Sequence, residues 1–233
     1  MRVSVIIPVF NEEKSIPYVL NDIPKFVNQI IVCDNSSTDR TSEIAKNLGA
    51  KVVFEKKKGY GYACLKGISY LKNLKIKPEI VVFIDGDYSD DPKQIKKIIA
   101  PIVNEGYDLV LGARTKNLRD KHSMTTHQIF GNWLACLLMK VFFDSTFIDL
   151  GPFRAITWNK LMELNMRDKT FGWTIEMQIK ALTKNYKYKE IAVKYKKRIG
   201  KSKISGTLKG SILAGQKILY LIFKYYLKKK VGL

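Results

Sequence analysis

Read from its N-terminus, the chain alternates between short runs that are apolar throughout and longer runs in which apolar residues recur every three or four positions. VSVIIPV (Val3–Val9), QIIVCD, KVVFE, EIVVFID and DLVLGA are of the first kind, β-branched and bounded by polar or turn residues. This is the mark of buried strands. Between them, Glu13 to Phe26, TSEIAKNLG with Gly49 as its stop, GYACLKGISYLK and PKQIKKIIAPIV carry the helical period. Such alternation predicts βαβ units: an α/β fold with a mostly parallel sheet and helices on both faces. After Ala113 the pattern changes. Lys116 to Thr126 reads as a polar loop, and Ile129 to Phe143 as a strongly apolar helix. TFIDLGPFRAI, with its Gly-Pro pair, predicts an irregular segment or edge strand. GWTIEMQIKALTK follows as a helix, YKYKEIAVKYKKR as an alternating strand, GKSKISG as a basic loop and Thr207 to Lys230 as a long last helix. The boundaries implied are a main domain over 1–205, with halves at about 1–115 and 116–205, and a C-terminal basic helix over 206–233.

In open parallel sheets ligands bind beyond the carboxyl ends of the strands, so the residues just after each strand carry the chemistry. After the first strand come Pro8, Asn11 and Glu12, and after the second Asp34-Asn35-Ser36-Ser37-Thr38-Asp39. After the fourth come Asp85-Gly86-Asp87. Two carboxylates one residue apart at the end of a buried strand are costly without a cation beside them. A hard divalent ion such as Mg²⁺ suits them, held by one or two carboxylates together with ligand phosphates. Gly86 is expected to let a ligand approach the backbone. Asp90-Asp91-Pro92 reads as a helix cap with Pro at the first helical position. Gly59 and Gly61 ahead of a helix are a weak phosphate-loop signal, and no Walker sequence is present.

Charge narrows the partner. Lys and Arg number 41 and Asp and Glu 21, so 41 − 21 gives a formal charge of +20. The expected partner is anionic: a nucleic acid, a membrane surface or a phosphorylated ligand. No helix-turn-helix, zinc-finger or RNP-type motif is present, and a carboxylate rim lacking a metal repels phosphate chains, so nucleic acid is not expected. Cys33, Cys64 and Cys136 are scattered and form no CxxC pair, which predicts a reducing compartment and neither disulfides nor zinc. The longest apolar run, IFGNWLACLLM, is about 11 residues and too short to span a bilayer. The N-terminal MRVSVIIPVF lacks a signal-peptide pattern. Membrane contact, if any, is therefore expected at the surface, from the cytoplasmic side.

The segments VIIPVFNE, VCDNSSTDRT, GYGYACLKGI and FIDGDYSDDP, followed by Ala113-Arg114, DLGPFRAI, FGWTIEMQIKA and RIGKSKISGT, resemble glycosyltransferase family 2 over about residues 3 to 207. Within that family they are similar to the polyprenyl-phosphate (dolichyl-phosphate) sugar synthases. The resemblance implies a Rossmann-like nucleotide-sugar-binding domain of the glycosyltransferase A type. It also implies inverting transfer from a UDP- or GDP-linked sugar to a polyprenyl phosphate, the alternative being a family 2 transferase with a soluble or protein-bound acceptor. By the same resemblance Pro8 and Glu12 line the nucleoside pocket, and Asp34 contacts base or ribose. Asp85 and Gly86 lie against ribose and diphosphate, and Asp87 ligates Mg²⁺ or Mn²⁺. Two departures stand out: Asp34-Asn35 where the family often has Asp-Asp, and Ser89-Asp90 where the dolichyl-phosphate mannose enzymes tend to have Gln-His. Nucleoside and sugar therefore do not transfer with the family.

On the acceptor side, Arg114, Arg119, Lys121, Arg198, Lys201 and Lys203 concentrate in two polar loops. Arg114 and Arg198 match the family's acceptor arginines, and Lys203 and Asp149 are further candidates for the acceptor pocket. Cationic side chains there would pair with a phosphate. Glu176 sits where related hydroxyl-transferring enzymes carry a base; the alternative is an i, i+4 helix pair with Lys180. A phosphate monoester is already anionic near pH 7 and needs no base. In the last helix Lys209, Lys217, Lys224 and Lys228 gather on one side, and Ile212, Ile218, Leu219, Ile222, Phe223 and Tyr226 on the other. That pattern predicts docking on an anionic membrane surface, or alternatively on the protein's own domain.

Overall fold

The computed structural model describes residues 1–200 and 208–231. Lys201 and Lys203 and the rest of the basic loop after Gly200 lie outside the described residues. Among the described residues, a seven-stranded sheet has the order β3-β2-β1-β4-β6-β5-β7. Its strands are β1 (Val3–Val9), β2 (Gln29–Asp34), β3 (Lys51–Phe54), β4 (Ile80–Phe83), β5 (Leu109–Ala113), β6 (Arg154–Thr157) and β7 (Tyr188–Ala192). β1 pairs in parallel with β2 and β4, β2 with β3, and β5 with β7. Only β6 runs against its neighbours, β4 and β5.

The two-residue period of the strands divides the core. Val3, Val5, Ile7 and Val9 of β1 point to one layer, with α1 (Ile16–Asp22), α2 (Thr41–Asn47) and α4 (Ile95–Glu105). Ile6 points to the other, with α3 (Tyr60–Lys72), α5 (Thr126–Phe143), α6 (Trp158–Leu164), α7 (Trp173–Thr183) and α8 (Leu208–Lys230). Burial on both faces explains why these strands read as unbroken apolar runs.

Four differences from the sequence reading have physical causes. The first helix is shorter, Ile16–Asp22, because Pro24 drives Ile23 to an extended conformation with ψ 127°. RAIT is an interior strand, paired on both edges; the Gly-Pro pair falls just before it and leaves the ladder intact. Arg154 in that strand is fully buried and donates to the carbonyls of Thr174 (3.0 Å) and Gly151. α6 was not expected, since it follows β6 with no polar break to announce it. Finally, α8 is not an appendage. Leu221 and Ile222 are buried in the same core as β1 and α7, and the Tyr225 hydroxyl donates to Glu176. No helix among the described residues is long and apolar enough to cross a membrane.

Candidate functional site

The loops after β1 and β2 are laced together. Asn11, at φ 54°, donates its N–H to Ser37 Oγ (2.9 Å) and accepts the Thr38 N–H (2.8 Å). The Glu12 N–H donates to Thr41 Oγ1 at 2.8 Å. Asp34 is buried and accepts the Ser37 N–H (2.8 Å) and the Ser42 hydroxyl. Asn35 donates to the carbonyls of Glu55 and Lys57 and accepts the Gly59 N–H. An aspartate cannot donate those two bonds, which is a local reason for Asn at the position where the family often has Asp. Pro8 lies in β1 opposite Cys33.

The carboxyl end of β4 supplies the charge. The Tyr60 hydroxyl, at the start of α3, donates to Asp85 Oδ1 at 3.0 Å. Burial, reinforced by the neighbouring Asp87 charge, pushes the Asp85 carboxyl up to about 7. Asp87 Oδ1 accepts the Ser89 N–H (2.9 Å) and hydroxyl (2.6 Å), leaving Oδ2 toward Arg198 Nη1 at 3.2 Å. The other guanidinium nitrogen of Arg198 donates to Glu12 Oε1 at 3.0 Å. The motifs after β1 and β4 are thus joined by one cation from the loop after β7. Two carboxylates bridged by a guanidinium, beside a third whose pKa is raised by burial and by its neighbour's charge, form a hard, oxygen-rich setting that fits a divalent cation. No cluster of three or more candidate ligand side chains occurs among the described residues.

Several expected roles shift. A Cβ on Gly86 would lie 2.5 Å from Val9 Cγ1, so this glycine also lets the loop seat closely on β1. Gly59, at φ 148°, and Gly61 admit the backbone of residues 168 and 169, whose Lys169 carbonyl accepts the Tyr62 N–H at 3.0 Å. The start of α3 is therefore occupied by protein, not open to a phosphate. Asp91 is the expected cap and accepts the Lys93 N–H. Asp90 is fully buried with both carboxyl oxygens unpartnered, and burial raises its pKa well above the usual carboxylate range.

Arg114 does not reach freely into the acceptor side. Its Nε and Nη2 form a fork on Asp149 at 2.8 and 2.6 Å, and it lies over the Tyr195 ring. Asp149 is in turn fixed by Glu190, whose carboxylate accepts the N–H groups of Ile148 (2.9 Å) and Asp149 (3.0 Å). Arg119 is the more available cation: it lines a small pocket with Arg114, Thr115, Met124, Ile129 and Ile148. Glu176 is corrected most clearly. It is 1% exposed, accepts the N–H groups of Arg167 and Asp168, pairs with Lys180 at 2.7 Å and accepts the Tyr225 hydroxyl. Its oxygens anchor α7 to α8 and to the preceding loop, and none is left to take a proton from an acceptor. Sequence reading missed Tyr60, whose place directly after the β3–α3 glycine was its one signal, and Tyr195.

The family model for glycosyl transferase family 2 matches residues 4–195. An uncharacterized glycosyltransferase of Mycobacterium tuberculosis is 34% identical over 91% of this chain and 94% of its own length. The dolichyl-phosphate hexose transferase of Haloferax volcanii is 27% identical over 86% of each chain. Among solved structures, glucosyl-3-phosphoglycerate synthase of M. tuberculosis, in complex with Mn²⁺, UDP and glucosyl-3-phosphoglycerate, superposes with a TM-score of 0.75 at 20% identity, covering 100% of this chain and 80% of that one.

Proposed function

The chain belongs to glycosyl transferase family 2 and is a glycosyltransferase of A-type fold; from that premise we propose that it moves a sugar from a nucleotide sugar to a polyprenyl phosphate at a membrane surface. The observation that carries this reading is the meeting of Glu12, Asp85, Asp87 and Arg198 at one rim of the sheet, with the Arg119 pocket on the neighbouring rim. The likeness to dolichyl-phosphate hexose transferase supports the acceptor class.

In this reading Pro8, Glu12 and Asp34 frame the nucleoside, Asp85 lies against the ribose and diphosphate, and Asp87 would hold Mg²⁺ or Mn²⁺. An ion held there would supply positive charge to stabilise the departing nucleoside diphosphate. Tyr60 fixes the Asp85 carboxylate by its hydroxyl. Arg198 exchanges its carboxylate partners for phosphate oxygens, a charge-assisted contact. Arg119 receives the acceptor phosphate, while Arg114 and Asp149 shape the pocket wall behind it. The phosphate is already an anion at neutral pH, so no general base is needed, which agrees with Glu176 being fully hydrogen-bonded. Attack at the sugar C1 from the face opposite the leaving group inverts that centre. Met124, Ile129 and Ile148 give the pocket an apolar side suited to the first isoprene unit. The setting is the cytoplasmic face of a membrane.

The test has two stages. Thermal-shift titration with nucleoside diphosphates and nucleotide sugars, with and without Mn²⁺, identifies the donor. Release of nucleoside diphosphate is then followed with a polyprenyl phosphate, with a soluble phosphate monoester and with no acceptor. Release on the polyprenyl phosphate alone supports the reading; release only on the soluble monoester would overturn the lipid acceptor.

A further inference from the structure

α5 exposes an apolar stripe. Phe130, Trp133, Leu137 and Val141 are 59, 55, 40 and 64% exposed. At 100° per residue they fall within about 80° of arc. The opposite side, Ala135, Cys136, Met139 and Phe143, is buried in the core. The exposure is therefore a property of one face of a well-seated helix. The Phe130 and Trp133 rings lie 5.8 Å apart on the surface. α8 lies alongside: Phe142 of α5 stacks against Tyr226 at 4.4 Å and meets Phe223 at 5.6 Å. Phe223 and Leu227 then extend the apolar surface, at 46 and 60% exposure.

Charge selects the occupant. The 18 residues of α5 and the 23 of α8 contain no Asp or Glu, in a chain that holds 21 of them; Asp144 follows at the C-cap of α5. Lys140 flanks the stripe, and Lys224, Lys228, Lys229 and Lys230 stand on α8. A second copy docked on this face would bring lysine onto lysine. A nucleic acid would leave the aliphatic residues without a partner. An anionic bilayer satisfies both components, since its headgroups pair with the lysines and its interface accepts Trp and Phe.

We infer that the outer face of α5, continued by Phe223 and Leu227 of α8, docks this protein on an anionic lipid bilayer, with Phe130 and Trp133 entering the interface. Only part of the apolar side of α8 seen in the sequence is free for this: Ile222 is fully buried, and Ile218 and Tyr226 pack on the protein's own core, while Phe223 stays exposed. Docking by α5 also brings the Arg119 pocket close to the lipid, because Ile129, which adjoins Trp133 on the edge of the stripe, lines that pocket. The inference deepens the lipid-acceptor reading, on which its purpose rests, but its test needs neither donor nor acceptor.

Full-length protein is co-sedimented with phosphatidylcholine vesicles with and without phosphatidylglycerol, at several salt concentrations. Wild type should bind the anionic vesicles, less so as salt rises, and its fluorescence should be quenched by lipid-borne bromine. That quenching should be lost in Trp133→Phe. Phe130→Ser with Trp133→Ser, and separately Leu137→Gln with Val141→Gln, should each weaken binding by about tenfold or more. All four positions are exposed, and an unchanged melting temperature verifies the fold. Equal binding by both double variants, or bromine quenching that persists in Trp133→Phe, would overturn the inference. So would a lipid-free dimer that the variants turn into monomer, which would assign the face to a second copy. Transfer to a short-chain, water-soluble prenyl phosphate is assayed in parallel. Its absence counts against the proposed acceptor, whatever the vesicles show.

Discussion

Single residues decide how charge is handled at the rim. Asp87 is held by Ser89 on one oxygen and faces Arg198 with the other. Asp87→Asn should abolish nucleoside diphosphate release and remove the Mn²⁺ dependence of donor binding, followed by thermal shift; near wild-type turnover would refute its role as a metal ligand. Glu176 belongs to stability. Glu176→Gln leaves Lys180 without its carboxylate and sets an amide NH₂ against two backbone donors, so a loss of about 3 kcal/mol or more is expected in denaturant unfolding. Turnover per folded molecule should persist at low temperature; a stable but inactive variant would restore the catalytic reading. Glu190 gives a pH dependence. Burial raises its carboxyl to about 7 from the ordinary 4.5, so the folded state binds this proton more tightly than the unfolded state. Its contribution is fully present below about pH 4.5 and is lost as pH rises through 7. Between pH 5 and 8 wild type should lose more stability than Glu190→Gln, in parallel urea titrations; identical slopes would show that Glu190 titrates normally.

At the scale of elements, the strands were legible because burial on both faces leaves an unbroken apolar run. Helices were legible wherever polar residues marked their ends. β6 was misjudged because a buried Arg and a preceding Gly-Pro look like surface and edge, and only the neighbouring carbonyls that accept Arg154 make an interior strand possible there. The two glycines opening α3 looked like a ligand cradle and are instead a contact between elements. A Cβ on Gly61 would stand 2.2 Å from the Asp168 carbonyl oxygen, a backbone atom that cannot step aside. Gly61→Ala should therefore cost about 1–3 kcal/mol and lower the melting temperature, with donor affinity reduced through the displaced Tyr60. A variant as stable as wild type would mean that the loop yields freely.

At the scale of the whole molecule, α8 closes the core. Leu221 packs on Gly172, where a Cβ would meet it at 2.2 Å, and Lys217 pairs with Asp168 at 3.0 Å. Removing residues 207–233 exposes the seat of Leu221 and Ile222, a loss on the order of 5 kcal/mol from these two side chains with their hydrogen-bonded neighbours. The truncated protein should melt well below full length in circular dichroism. An unchanged melting temperature would make the helix an independent appendage.

The sequence by itself determined the α/β class, the strands that carry the site and the family, because apolar period and short polar motifs are local properties of the chain. It also singled out Glu12, Asp34, Asp85, Asp87 and Arg198 as candidates, since each directly follows a strand or sits in a motif. The tertiary structure alone decided what those groups face: that Arg198 joins Glu12 to Asp87, that Arg114 is bound to Asp149, that Glu176 is fully engaged and that α5 carries the exposed apolar face. These are pairings between residues far apart in the chain. A periodicity tells that a helix has an apolar side, and only packing decides whether that side meets the protein's own core or the world outside.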